Sequence, residues 1–243
     1  MNTYSTKIFL VSAAILALLS CNKENPQSGE ESAMPVPELV DLGLSVKWGS
    51  FNLGSTKPEE YGGYYQWAGL EDVTSTSIYL DWSNCPYHSG SDSSSGWTKY
   101  IPSNKPSYWS GVGNPDNKIV LDPEDDVAHV KLGGKWRIPT GAEWDELGNT
   151  LNCSWTWTSI NGINGYKVQS KKTGFTNNWI FLPATGYRDG DYVDDVGSYG
   201  RYWSSSLFVG SPNCATLMIF NTGYEYWDGG RRFRGLSVRP VSE

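Results

Sequence analysis

Histidine is scarce in this chain of 243 residues, and its scarcity argues against several kinds of site. Only two histidines are present, His88 and His129, and they lie far apart in the sequence. A zinc or copper centre therefore has almost no ligands to draw on. The sequence predicts no metal centre and no cofactor.

Cysteine is also infrequent, and its number limits disulfide bonding. Beyond Cys21 the chain contains Cys85, Cys153 and Cys214, none of them in a Cys-x-x-Cys spacing. An odd number excludes a fully paired framework within one chain. One bridge, with Cys153–Cys214 as first choice, and a buried free thiol at Cys214 both stay open.

Excess basic charge and enzyme signatures are missing as well. The formal net charge is −7, and no basic stripe suits nucleic acid. No nucleophile elbow, zinc-protease helix or phosphate-binding loop occurs. Acidic pairs are present at Asp125-Asp126 and Asp194-Asp195. A glycosidase needs only two carboxylates, but the side chains of adjacent residues usually point in different directions, which argues against an active site at either pair. We expect a protein that is not an enzyme.

One apolar run stands at the start of the chain, from Ile8 to Leu19 after Lys7, and it is short for a membrane span. Such a run followed by Ser20-Cys21 resembles a lipoprotein signal peptide, with an ordinary signal peptide as the alternative. We expect residues 1–20 to be cleaved, Cys21 to be lipidated, and residues 21–37 to form a polar tether. Lys23-Glu24 resembles the export signal of Bacteroides-type lipoproteins, and this resemblance implies a place on the outer face of the outer membrane, with an ordinary polar tether as the alternative.

Aromatic residues are abundant, with twelve tryptophans and fifteen tyrosines. Such rings serve in cores and in binding surfaces, and we expect both uses. We expect Trp136, Trp144 and Trp203 to be largely buried.

Short strands and few helices predict an α+β fold in a single domain over residues 38–243. Asp122 with Pro123 opens one expected helix, which ends near Gly133, and the capping box at Thr140 and Glu143 opens another, which ends near Gly148. Residues 71–118 should form a long irregular excursion. Strands are expected over 39–51, 61–67, 155–159, 165–170, 178–182, 202–206, 215–220 and 233–240.

Four blocks in the second half alternate with polar stretches. They are Gly134-Lys135-Trp136-Arg137-Ile138-Pro139-Thr140 followed by Glu143-Trp144, Phe181-Leu182-Pro183-Ala184-Thr185-Gly186-Tyr187-Arg188, Tyr202-Trp203-Ser204-Ser205-Ser206, and Gly235-Leu236-Ser237-Val238-Arg239-Pro240-Val241. With the segment from Leu121 to Ala128, these blocks resemble the Fibrobacter succinogenes major paralogous domain family of Bacteroidetes lipoproteins. The block from Arg137 to Trp144 also resembles the formylglycine-generating enzyme superfamily, which implies a C-type-lectin-like fold with paired terminal strands and a loop-built binding face. That enzyme's cysteine pair is not matched here.

The sequence contains one internal echo, Gly43-Leu44-Ser45-Val46-Lys47 and Gly235-Leu236-Ser237-Val238-Arg239. It would fit two strands in similar sheet environments.

The stretch from Gly186 to Val241 resembles the variable region of proteins diversified by retroelements, and an undiversified polar region is the alternative. Tyrosine and charged residues between the blocks should lie in loops on one exposed face and bind an extracellular protein or glycan. The expected ligand-binding residues are Asp189, Asp191, Tyr192, Tyr199, Arg201, Phe208, Tyr224, Tyr226, Asp228 and Arg231. Calcium held by Asp189, Asp191, Asp194 and Asp195 is an open alternative.

The function expected from the sequence is therefore a surface-anchored, adhesin-like or lectin-like lipoprotein. The membrane is one partner, through the lipid on Cys21, and no nucleic acid is expected. Two alternatives remain: a structural or docking component of a cell-surface assembly, and an enzyme of unknown type.

Overall fold

The two ends of the domain are joined by a small sheet in which strands from both ends pair. In this computed structural model, which describes residues 33–104, 113–208 and 210–243, residues 34–243 form one compact unit. The described residues form thirteen strands and two α-helices. The strands are β1 (Leu39–Val40), β2 (Lys47–Gly49), β3 (Tyr64–Tyr65), β4 (Cys153–Ile160), β5 (Ile163–Ser170), β6 (Trp179–Pro183), β7 (Tyr187–Asp189), β8 (Tyr192–Asp194), β9 (Gly200–Leu207), β10 (Cys214–Asn221), β11 (Tyr224–Arg231), β12 (Leu236–Ser237) and β13 (Val241–Ser242). The helices are α1 (Val127–Leu132) and α2 (Gly141–Gly148).

The described strands form four sheets, in the orders β1-β2-β13, β11-β10-β9-β12-β3, β4-β5-β6 and β7-β8. Most neighbours are antiparallel, and β12 lies parallel to β9. Few helices with several antiparallel sheets make the fold α+β, as expected. The pairing of β2 with β13 matches the paired terminal strands that the family resemblance implied.

The five-stranded sheet divides the core in two because its side chains alternate between its faces. On one face, Trp203 and Leu217 pack with α1 through Val127 and Ala128. On the other face, the side chains of Tyr202, Met218 and Phe220 pack with α2 and with β4, β5 and β6. Trp144 connects α2 to the five-stranded sheet, since its Nε1 donates a hydrogen bond to the Trp203 carbonyl at 3.2 Å.

Both helices have side-chain caps at their first turn. Thr140 accepts from the Glu143 N–H, and the Glu143 carboxylate accepts from the Thr140 N–H, which confirms the expected capping box. The other expected helix is α1, which ends before Gly133 as expected, but the prediction of its start was wrong. Pro123–Asp125 forms a 3₁₀ turn, and Asp126, rather than Asp122, caps α1 by accepting from Ala128 and His129.

Aromatic rings line the long excursion between β3 and α1. Trp82 packs against Trp97 and Phe233, with ring centroids 5.8 and 4.8 Å apart. The excursion is thus part of the domain core. Two of its aromatic residues, Tyr108 and Trp109, lie outside the described residues, as do the expected signal peptide and Cys21.

Several sequence expectations about the core need correction. Trp144 and Trp203 are fully buried, whereas Trp136 is half-buried because it lies at the turn before α2. The expected strand over 233–240 shortens to β12. Of the first copy of the repeated pentapeptide only Lys47 lies in a strand, β2, which belongs to a different sheet from β12, so the two copies do not share an environment. The expected Cys153–Cys214 bridge is absent, since both cysteines are free, one at the start of β4 and the other at the start of β10.

Within residues 33–104, 113–208 and 210–243, none of the helices has the length and apolar composition needed to cross a bilayer.

Candidate functional site

Strands β9, β10 and β11 bring tyrosine and charged side chains together at one rim of the five-stranded sheet. Tyr226 pairs with Ile219, which pairs with Arg201, so these three side chains form a row on one face. Asp228 and Leu217 form the next row. Paired residues of antiparallel strands share a face, so the register itself aligns the groups.

The β7–β8 hairpin adds a second group of side chains to this rim. Tyr187 pairs with Asp194 and Asp189 with Tyr192, which places them on one face of the hairpin. Arg188 points to the other face, where its guanidinium donates to the carbonyls of Val73, Thr74, Thr76 and Ile78. This buried arginine holds the hairpin against the excursion.

We call the resulting patch the Tyr/Arg surface. Its members are Tyr187, Asp189, Tyr192, Asp195, Tyr199, Arg201, Tyr224, Tyr226, Asp228 and Arg234.

Two guanidinium groups flank one ring at the centre of the Tyr/Arg surface. Arg201 lies 3.9 Å and Arg234 4.9 Å from the ring centroid of Tyr187. Each has a carboxylate partner at 2.7 Å, Asp195 for Arg201 and Asp189 for Arg234. Such pairs fix long side chains in one geometry, so the charged groups are preorganised before any ligand arrives.

The tyrosines at the outer part of the surface lie against one another and remain open to solvent. The hydroxyl oxygens of Tyr199 and Tyr224 are 3.4 Å apart, and the rings of Tyr224 and Tyr226 are 5.3 Å apart. Tyr224 and Tyr226 are 44% and 42% exposed. The negative charge of Asp189 raises the pKa of Tyr192, so this hydroxyl stays protonated and able to donate.

A pocket of about 120 Å³ opens between these groups. Its apolar wall comes from Leu217, Ile219 and Leu236, and Gly229 and Gly230 leave room in β11. Asp228 lines the pocket with a carboxylate that accepts a hydrogen bond from the Gly229 N–H, at 2.7 Å. The pocket therefore offers an acceptor and aromatic edges around an apolar wall, which are features of a binding site.

None of the ten residues expected to bind ligand is buried. Tyr199, Arg201, Tyr224, Tyr226 and Asp228 come together on the Tyr/Arg surface, and Asp189 and Tyr192 join them from the hairpin. Asp191 occupies the exposed turn of that hairpin.

Two of the ten residues do not join the surface. The ring of Phe208 lies against Gly229, which alternates with Asp228 along β11, and Arg231 follows the same alternation. Both therefore belong to the opposite face of that strand.

The expectation that loops carry these residues was wrong, because seven of the ten lie in β7, β8, β9 and β11. Sequence reasoning also missed Tyr187, which was counted as framework, and Arg234, which fell within the expected strand over 233–240. The alternation of Tyr187 and Asp189 around Arg188 was the signal that could have placed Tyr187 on the polar face.

The acidic residues considered for other chemistry have structural partners. Asp189 and Asp195 pair with arginines rather than facing a shared centre. Among the described residues, no group of three or more His, Cys, Asp or Glu side chains is arranged to hold a metal ion. Asp125 accepts hydrogen bonds from Tyr87 and Tyr100, and the carboxylate of Asp126 caps α1, so this acidic pair has a structural role.

Searches against family models, curated proteins and solved structures find no match to this chain.

Proposed function

We propose that this protein binds an extracellular ligand through the Tyr/Arg surface without transforming it chemically. The arrangement of Arg201, Tyr187 and Arg234 supports the proposal best. Two guanidinium groups, each paired with a carboxylate, lie against the ring of Tyr187 next to a pocket at the rim of the five-stranded sheet. Rigid aromatic and arginine side chains of this kind dominate binding energy in protein interfaces.

The proposal also covers the location of the protein, its fold family and the diversification of its C-terminal region. We infer a lipid anchor on Cys21 and exposure at the outer membrane from the lipobox-like sequence and the polar residues after it. The paired terminal strands and the motif blocks support a C-type-lectin-like fold within the α+β class. The composition of residues 186–241 supports diversification, and a reverse transcriptase gene beside a near-copy of the 3′ end would establish it.

The binding proposal is tested with the purified protein on arrays of glycans and of extracellular proteins. The double variant Tyr224→Ala/Tyr226→Ala should lose at least tenfold in affinity for whatever the wild type captures, because both rings are exposed beside the pocket. The control is Trp179→Ala, which removes a 39% exposed ring from a different sheet.

Equal losses in the two variants, or none in the double variant, would contradict the proposal. Stable co-purification with envelope proteins through another surface would instead favour a structural component of a cell-surface assembly. Turnover of any ligand would favour an enzyme.

A further inference from the structure

Strand β11 is the outermost strand of the five-stranded sheet, and its outer edge is uncovered. It pairs with β10 over eight residues, and within the described ranges no strand or isolated bridge pairs with its other side. In an antiparallel pair only alternate residues turn their N–H and C=O groups toward the neighbour. The remaining backbone groups of β11 point outward, and such an edge can receive another strand.

Cavities open on both faces of the sheet beside this same edge. On the first face is the pocket of about 120 Å³ that Tyr226 and Asp228 line. On the opposite face a cleft of about 480 Å³ lies between β11 and α2. Glu225 and Trp227 line this cleft from β11, and Asp145 and Asn149 line it from α2. We call it the α2 cleft.

The side-chain alternation of a strand matches this arrangement. Successive side chains of an extended chain point to opposite faces, and neighbouring strands lie about 4.8 Å apart. A chain paired with β11 would therefore send every second side chain toward the α2 cleft and the others toward the pocket. Tyr226 lines both cavities, so they flank the same point of the edge.

The negative charge of the α2 cleft favours a positively charged side chain from the partner segment. Asp145 and Glu225 both face it, and neither carboxylate has an ion-pair partner in the part of the chain that the structure describes. Trp227 adds an indole ring, which attracts a cation over its face. Two carboxylates and an indole suit a lysine or arginine side chain.

We infer that β11 accepts an extended, basic segment of a partner protein as a sixth strand. A lysine or arginine of that segment occupies the α2 cleft, while the side chains on either side of it lie against Tyr226 and Asp228. This inference rests on the proposed function and makes its ligand a protein segment rather than a glycan. Backbone hydrogen bonds supply affinity in this mode, and the cavities supply specificity.

The test uses a display library of random octapeptides panned against the full protein. Enriched peptides should share a lysine or arginine at one fixed position, the one that enters the α2 cleft. They should lose at least tenfold in affinity for the Asp145→Asn/Glu225→Gln variant, because the cation loses both counter-charges. The control variant, Glu38→Gln/Glu71→Gln, removes the same number of negative charges at carboxylates outside the cleft and should retain the affinity within about twofold.

Backbone methylation of the enriched peptides separates strand addition from simple charge attraction. N-methylation of one alternating set of amides should abolish binding, and methylation of the other set should be tolerated, because only one set faces β11. Amide hydrogen exchange over residues 225–228 should slow when the unmethylated peptide binds.

Three results would overturn the inference. These are a library that enriches no fixed lysine or arginine, binding that survives both methylation patterns, and a wild-type dimer with a second copy paired to β11. If array ligands still depend on Tyr224 and Tyr226 in such a case, the proposed function stands and only the strand-addition inference fails.

Discussion

Three buried arginines without carboxylate partners hold the domain together at the residue scale. Arg188, Arg232 and Arg239 are at most 3% exposed, and none forms a salt bridge with a described residue. Backbone carbonyls bind all three guanidinium groups. Burial lowers the pKa of Arg232 to about 9 and that of Arg239 to about 10, since nearby carboxylates do not offset the lost hydration. Each arginine instead joins segments that are distant in sequence.

Arg239→Lys should destabilise the protein by at least about 2 kcal/mol, because the acceptors around Arg239 are arranged for a planar guanidinium. Its Nε, Nη1 and Nη2 donate at 2.7–2.9 Å to Asn52 Oδ1 and to the carbonyls of Gly49 and Phe181. Urea denaturation gives the free energy of unfolding. Arg231→Lys, at an exposed position, is the control and should change this free energy by less than about 0.5 kcal/mol. Equal effects at the two positions would contradict this account.

A cluster of polar side chains around Asp125 makes the free energy of unfolding depend on pH. Asp125 accepts hydrogen bonds from Tyr87 and Tyr100, and its carboxylate lies 2.5 Å from Lys99 Nζ. Burial alone would raise the pKa of Asp125, but the hydrogen bonds from Lys99 and the two tyrosines outweigh it and lower the pKa. The folded state therefore binds the Asp125 proton more weakly than the unfolded state does.

The wild type should lose stability as the pH falls below about 4, the unfolded-state pKa of aspartate, and through the lower folded-state pKa. Asp125→Asn should be less stable at pH 7, by about 3 kcal/mol, because it leaves Lys99 with fewer counter-charges in a buried site. Its stability should then fall less steeply with acid. Denaturation curves at pH 7, 4 and 3 compare the slopes, and parallel slopes would show that Asp125 does not carry this pH dependence.

At the scale of single elements, the capping box of α2 is the clearest local signal that the sequence contains. Thr140→Ala should cost about 1 kcal/mol, because the Glu143 N–H loses its acceptor at the first turn. Thermal unfolding measures the difference. Thr150→Ala is the matched control and should leave stability nearly unchanged, since among the described residues Thr150 takes part in a side-chain hydrogen bond only through its backbone carbonyl, which accepts from Lys171.

Glycine in β9 serves close packing between neighbouring strands. A Cβ atom on Gly200 would lie 2.0 Å from Cζ of Phe220, a rigid and fully buried ring. Gly200→Ala should therefore destabilise the domain by about 1–3 kcal/mol through overpacking. In Gly148→Ala, the new methyl group meets Met218 Cε at 3.8 Å, and the helical position favours alanine. In denaturant titrations, Gly200→Ala should lower the free energy of unfolding and Gly148→Ala should raise it.

The sequence predicted the buried elements better than the strands that carry the candidate site. The strand β10 is a nearly continuous apolar run, β9 contains the block from Tyr202 to Ser206, and α2 has its cap, so these elements could be recognised. The strand β11 contains Tyr224-Glu225-Tyr226-Trp227-Asp228-Gly229-Gly230. Its side chains face the pocket on one side of the sheet, the α2 cleft on the other side, and solvent. Because neither face is uniformly apolar, alternation is weak, and the glycines and aspartate suggested a loop.

For the whole molecule, the location proposal makes a simple prediction. Lipidation of Cys21 should place the wild type in the membrane fraction, because two or more acyl chains anchor a protein stably. Cys21→Ala should move it to the soluble fraction. Cys85→Ala, at a buried free cysteine, is the control and should leave the distribution unchanged. Unchanged fractionation of the Cys21 variant would refute the lipoprotein assignment.

The overall composition of the candidate site could be predicted, but its three-dimensional grouping could not. Exposed tyrosines between the sequence blocks were expected, and the structure leaves them accessible. The pairing of Arg201 and Arg234 around Tyr187 depends on the hairpin, which Arg188 holds in place through carbonyls more than a hundred residues earlier. Contacts over such sequence distances have no local pattern in the sequence.

The contacts of Arg239 also affect the order of events during synthesis. Arg239 binds Gly49 and Asn52, and β13 pairs with β2, so the earliest part of the domain is completed by its last few residues. A nascent chain emerges from its amino end, so Gly49 and Asn52 leave the ribosome well before Arg239. The domain therefore cannot close before Arg239 has emerged, and until then it stays open to a chaperone or a secretion channel that handles unfolded chains.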